Sequence, residues 1–145
     1  MTIPTITSAN SSYVLTVPDV FSSPIVLKGY NVDTAYDTEN VEPVEVQIGV
    51  DGFTGAGYTP YLTKQTIEFL ANSPSIALFE AWEETQKFAQ EAYPASCTII
   101  IPSISKIYKG QVGWLTTYSP MSSAKKVLGG RGFTLTWGSL TPQNA

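Results

Sequence analysis

Only one stretch of this chain, Asn72–Pro94 (NSPSIALFEAWEETQKFAQEAYP), carries the periodicity of a helix. Almost all other apolar residues recur at period two or in short unbroken runs. That imbalance restricts the fold to a set of strands with one helix laid on them. Ser73 can cap, Pro74 suits the first helical position and Pro94 stops the chain, which sets the helix near residues 74–92. Ile76, Phe79, Trp82, Ala89 and Tyr93 fall near one stripe, with Glu83, Glu84 and Lys87 largely off it. Such a stripe must pack against a sheet or another subunit.

The strands follow from alternation. Ser12–Val17 and Ser23–Tyr30 read as the first two. Val44–Val50 is the cleanest half-buried strand, with Val44, Val46, Ile48 and Val50 on one face and Glu45, Gln47 and Gly49 on the other. Thr63–Ala71 sets Ile67 and Phe69 against Lys64, Thr66 and Glu68. Cys97–Ser103 is a buried apolar run. Lys106–Ser119 forms one or two strands with a bend or bulge at Gly110 or Gly113. Phe133–Leu140 alternates Phe133, Leu135 and Trp137 with Thr134 and Thr136. The sum is about seven or eight strands, a mainly β sandwich or barrel with a flanking helix, in one domain over residues 1–145. Residues 31–43 carry Asp33, Asp37, Glu39 and Glu42 with little apolar material, and read as a long extended arm. Loops of that length usually have a job.

Several chemistries are excluded. There is no histidine, which removes the commonest general base and metal ligand together. The single cysteine, Cys97, cannot form an internal disulfide, and its apolar setting suggests an inert thiol. Gly49, Gly52, Gly55 and Gly57 lie in "GVDGFTGAGYTP", which invites comparison with phosphate loops. No lysine follows until Lys64, so the Walker pattern fails. Pro60 and a strand follow where a dinucleotide site needs a helix. Asp51–Gly52 is instead a hairpin signal, and the glycines suit a sharp bend or the close approach of a neighbouring subunit. Ser103–Lys106 and Ser122–Lys125 are spacings common to any loop. Asp33, Asp37 and Glu39 lack the glycine that a calcium loop needs at its turn. The expectation is a protein that is not an enzyme, with no catalytic residue, cofactor, metal or small-molecule substrate. The first residues show no basic segment followed by an apolar core, and no run is long enough to span a bilayer, so the chain is expected to be soluble and made in the cytosol.

Charge is unevenly placed. Only 14% of residues are charged, well below the usual quarter, so much of the surface is neutral or covered by partners. Residues 1–99 hold all 12 carboxylates and three lysines, whereas residues 100–145 hold five cations and no carboxylate. The two parts are therefore −9 and +5 within a net −4. Solvation alone explains such a split, and so does a chain that meets copies of itself. Lys125, Lys126 and Arg131 form the one basic cluster, too small for nucleic-acid binding by contact.

Three stretches carry a family resemblance: "LKGYNVDTAYDTENVEPVEVQIGVDGFTGAGYTP", "KQTIEFLANSPSIALFEAW" and "SPMSSAKKVLGGRGFTLTWGSLTP". Over residues 25–142 the chain resembles tail tube proteins of contractile-tailed bacteriophages. The resemblance implies two packed β-sheets with a flanking helix. It implies six-copy rings that stack head to tail inside a sheath, above a baseplate, with DNA passing through the lumen without specific binding. It places the mature protein in the virion after synthesis in the host cytoplasm. Type VI secretion inner tubes and tube-initiating baseplate proteins share that fold and are close alternatives. On this reading Asp33, Asp37, Glu39 and Glu42 are the acidic side of a subunit contact, and Lys106, Lys109, Lys125, Lys126 and Arg131 the basic side. The rival is a monomeric β-sandwich that binds carbohydrate on Tyr58, Tyr61, Trp114 or Trp137, although Trp137 better suits a core position.

Overall fold

The computed structural model describes residues 10–30 and 35–144. Asp33 lies outside the described residues. The elements in chain order are β1 (Ser12–Thr16), β2 (Ile25–Val26), β3 (Tyr36–Thr38), β4 (Val44–Ile48), β5 (Thr54–Tyr58), β6 (Thr63–Phe69), α1 (Ile76–Ala89), β7 (Ala95–Ile101), a 3₁₀ turn (Pro102–Ile104), β8 (Lys106–Thr117) and β9 (Arg131–Asn144). The fold is mainly β with one helix, as the periodicity predicts.

Seven strands form one antiparallel sheet in the order β2-β1-β7-β8-β9-β6-β3, and β4 pairs with β5 alone. The large sheet curls over itself. Tyr13 on β1 donates its hydroxyl proton to Gln65 Oε1 on β6 at 2.6 Å, although three strands separate them in the sheet. The Trp137 indole N–H donates to the same oxygen at 3.3 Å. At the rim, the Tyr13 and Tyr36 rings meet edge to face with centroids 5.7 Å apart. Of the sandwich or barrel expected from the alternation, the described residues form one seven-stranded sheet curled over its core, with a separate hairpin.

Alternation explains what lies inside. Thr63, Gln65, Ile67 and Phe69 of β6 are buried, as are Phe133, Leu135 and Trp137 of β9. The helix closes the curl. Its Phe79 stacks on Phe133 at 4.6 Å with rings 5° from parallel, and Phe69 packs beside both. Trp82 is fully buried and donates its indole N–H to the Tyr93 carbonyl at 3.1 Å.

Several elements differ from expectation. The helix starts at Ile76, with Ser75 at the N-cap and no side-chain cap. Ser73 and Ser75 instead bind the Lys28 backbone: Ser73 Oγ donates to its carbonyl and Ser75 Oγ accepts its N–H at 2.7 Å. Ala89 is exposed, because only the first half of the stripe reaches the core. The Ser23–Tyr30 strand shrinks to two residues and an isolated bridge from Tyr30 to Phe69. The acidic arm is partly tied down: Tyr36–Thr38 pairs with β6, Glu68 N–H reaches the Ala35 carbonyl at 3.0 Å and Glu39 N–H the Lys64 carbonyl at 2.9 Å. The bulge expected in Lys106–Ser119 sits at Val112, where φ is +54°, between Gly110 and Gly113. A side chain at Gly113 would run into the Trp137 ring, so glycine there makes room for the indole.

Candidate assembly surface

The β4–β5 hairpin stands apart from the sheet. Val44 pairs with Tyr58, Val46 with Ala56 and Ile48 with Thr54, and no residue of either strand is buried. Ile48 is 73% and Phe53 80% exposed, and Val50 wholly so. The alternation that predicts a half-buried strand is present, but among the described residues neither face is covered. A two-stranded hairpin is marginal in water on its own. Burying one such aliphatic or aromatic side chain stabilises by about 1.5–3 kcal/mol, so covering this face would lower its free energy appreciably.

The tip is a tight turn. Gly52 has φ +86°, its N–H donates to the Gly49 carbonyl at 2.9 Å, and Asp51 Oδ1 accepts the Phe53 N–H at 3.2 Å. The opposite face is polar and flat. Glu45 faces Gly57 and Gln47 faces Gly55, and with Tyr58 and Thr59 they line a shallow cleft of about 370 Å³. A side chain on Gly55 or Gly57 would meet nothing within 4 Å. Those two glycines sit in a strand rather than a loop, and no contact among the described residues requires them. Their N–H groups belong to a ladder and a carboxylate lines the cleft, so the face does not suit a phosphate.

The charged candidates divide into separate groups. Asp37 and Glu39 are exposed on or beside the edge strand β3, and Asp37 lines a hollow of about 340 Å³ with Tyr36, Gln65, Tyr108 and Leu140. Glu42 is exposed at the hairpin base, where Thr59 Oγ1 donates to its carbonyl at 3.4 Å. Lys106 donates to Asn144 Oδ1 at 2.8 Å across the far end of the β8–β9 ladder. Lys109 is exposed further along β8, and Lys125 and Lys126 are exposed in the β8–β9 loop. Arg131 does not reach that surface. It is 7% exposed, donates to the Ser119 carbonyl, pairs with Glu80 at 3.6 Å and lies 5.4 Å from the Phe133 ring centre. It is an internal pin between the loop, the sheet and α1.

Two apolar features escape the sequence reading. Met121, Val127 and Leu128 are exposed around Lys125 and Lys126, and Phe88 on the last turn of α1 is 94% exposed. Apolar side chains in a glycine- and serine-rich loop were the available signal. Of the aromatic candidates, Trp137 is wholly buried, Trp114 is partly exposed, and Tyr58 and Tyr61 pack edge to face at 6.5 Å beside the hairpin. Among the described residues no group of three or more Cys, Asp or Glu could hold a metal ion. Burial pushes the Cys97 thiol up to about 11, with Tyr13 and the Gly110 backbone offsetting part of it, which leaves the thiol protonated and unreactive.

A sequence-family model described as tail fiber protein gp32 matches residues 4–141. The chain belongs to that family. As a member it is a structural component of a tail. The family differs in description from the tail tube proteins that the sequence resembles, while agreeing on the tail. No curated protein sequence matches. Among solved structures, the chain is similar to one in the 6-fold symmetrised baseplate of the anti-feeding prophage (AFP). That match has TM-score 0.62 at 10% identity and covers 99% of this chain and 98% of the other. A chain in the AFP tube-terminating cap matches with TM-score 0.58 at 11% identity, covering 100% and 95%. One in the PVC sheath–tube complex of an extracellular contractile injection system, in the extended state, matches with TM-score 0.50 at 13% identity, covering 92% and 88%. At such identities the likeness is one of fold.

Proposed function

We propose that this member of the gp32 family is a self-assembling tail subunit that forms hexameric rings, which stack head to tail into a tube. The observation that supports this best is the β4–β5 hairpin, whose apolar face has no cover among the described residues. The fold shared with chains of a 6-fold baseplate, a tube cap and a sheath–tube complex supports the same reading. Sheath and baseplate proteins are the further partners. DNA crosses the lumen without specific contacts, and the site of action is the virion, after synthesis in the host cytoplasm. Exposed carboxylates at Asp37, Glu39 and Glu42 and lysines at Lys106, Lys109, Lys125 and Lys126 steer copies together. A head-to-tail contact that does not close on itself propagates along an axis. A second reading, a single tube-initiating ring on the baseplate, is favoured by the near-complete mutual coverage with the baseplate chain; it differs in predicting rings that do not stack.

Negative-stain electron microscopy with light scattering tests both. Hollow tubes are expected, and rings alone favour the initiator. A subunit that stays monomeric at high concentration and does not add to isolated tail particles overturns the proposal.

A further inference from the structure

We infer that the apolar face of the β4–β5 hairpin is covered by the 121–128 loop of a neighbouring copy; this rests on the self-assembly reading above. The two surfaces match in both chemistries. The hairpin carries Glu42 at its base and Asp51 at its tip, Glu45 lies on the opposite polar face, and no cation occurs from Glu39 to Leu62. From Ser119 to Gly130 it has Lys125 and Lys126 and no carboxylate. Among the described residues neither lysine has an ion-pair partner in its own chain, whose single pair is Arg131 with Glu80. Each surface also exposes apolar side chains: Val44, Val46 and Ile48 on the hairpin, and Met121, Val127 and Leu128 on the loop. Solvated loops have little reason to place such residues together.

The loop is held for presentation. Arg131 fixes its start through the Ser119 carbonyl, and the Gly129 N–H closes back on the Ser123 carbonyl at 2.9 Å. Two hairpins face to face would bury the same apolar area, but would bring together two sets of carboxylates without a cation between them, which is unfavourable. Hairpin on loop removes that repulsion. It is also heterologous, since each copy offers one hairpin and one loop, so the contact either closes a ring or propagates along an axis.

Cross-linking between variants tests the contact. Cys97 is buried, so Val46→Cys and Val127→Cys each add one accessible thiol. The two variants are assembled together and treated with a short bismaleimide, with each variant alone as control. The expected result is a covalent dimer in the mixture and in neither control, and a ladder beyond the dimer from the chain carrying both changes. A dimer from Val46→Cys alone would mean hairpin against hairpin and would overturn the inference. Assembled particles without the mixed dimer would also overturn it, leaving the hairpin to another surface or another tail protein while self-assembly stands. If no assembly forms, with wild-type chain as with the variants, self-assembly itself fails and the inference with it. Because a cysteine at the contact can disturb it, Lys125→Glu with Lys126→Glu is the second probe. Those changes should block assembly, and adding Glu42→Lys in the same chain should restore part of it; failure to restore any also counts against the contact.

Discussion

At the scale of single residues, charge alone does not reveal position. Arg131 reads in the sequence like Lys125 and Lys126, yet it is buried against Phe133 and bound to a backbone carbonyl. Arg131→Met should therefore lower stability by about 1–3 kcal/mol, since the Ser119 carbonyl loses a charged donor, whereas Lys125→Met should stay within about 0.5 kcal/mol. Chemical denaturation of the unassembled subunit measures both. Cys97 sets a pH limit. Its thiol is raised by burial to about 11 from an ordinary 9.0, so the folded state holds the proton that the unfolded chain releases first. Its contribution is whole below pH 9.0 and is lost as pH climbs towards about 11. A melting series across that range should show a fall that Cys97→Ala reduces. Ile67, Phe69, Phe133 and Trp137 were legible as core because alternation points them one way. Gln65 was not, because its burial depends on Tyr13 and Trp137 arriving from strands distant in sequence.

At the scale of elements, strands that carry their own pattern could be read, and strands that depend on a partner could not. β6, β7 and β9 are legible because one or both of their faces are apolar. β3 is three residues of an acidic stretch that become a strand only by pairing with β6. The helix starts at Ile76, where the Ser73 and Ser75 hydroxyls bind the Lys28 backbone and Ser73 Oγ also accepts the Ser75 N–H at 3.3 Å. The hairpin alternation was visible, but a period of two states that a face is buried and not which molecule buries it. Two glycine substitutions separate those cases. Gly113→Val collides with Trp137 and should destabilise the fold by about 1–3 kcal/mol or more. Gly57→Val meets nothing within the subunit and should leave the melting of the core unchanged while altering assembly. Thermal melting and particle counts on the same samples distinguish them. Unchanged assembly with Gly57→Val would show that no partner comes close to that face.

At the scale of the whole molecule, the strands left sandwich and barrel open, because the curl of the sheet is set by contacts such as Tyr13 to Gln65 and by no local pattern. The separation of charge was visible, and so was a tail component in the order of the parts, though as a tail tube protein and not as a member of the gp32 family. If exposed carboxylates and lysines steer assembly, raising salt should slow it, since screening acts within about 8 Å at physiological ionic strength. Reversing Asp37 and Glu39 to lysine should weaken it as well. Time-resolved light scattering reads both, and rates insensitive to salt and to reversal would assign assembly to apolar contact alone.

The glycines of β5 bear on the time before assembly. A subunit that polymerises must first persist as a single molecule in a crowded cell, with Val44, Val46, Ile48 and Phe53 in water. Hairpins with strong β-forming residues on both strands recruit one another into fibrils, and glycine weakens that tendency. One strand of this hairpin is rich in valine and isoleucine, while its mate reads TGAGY. If the subunit assembles as proposed, such a pair would be adhesive enough for a shaped partner and too weak a template for hairpin-on-hairpin fibrils, giving newly made subunits a shelf life.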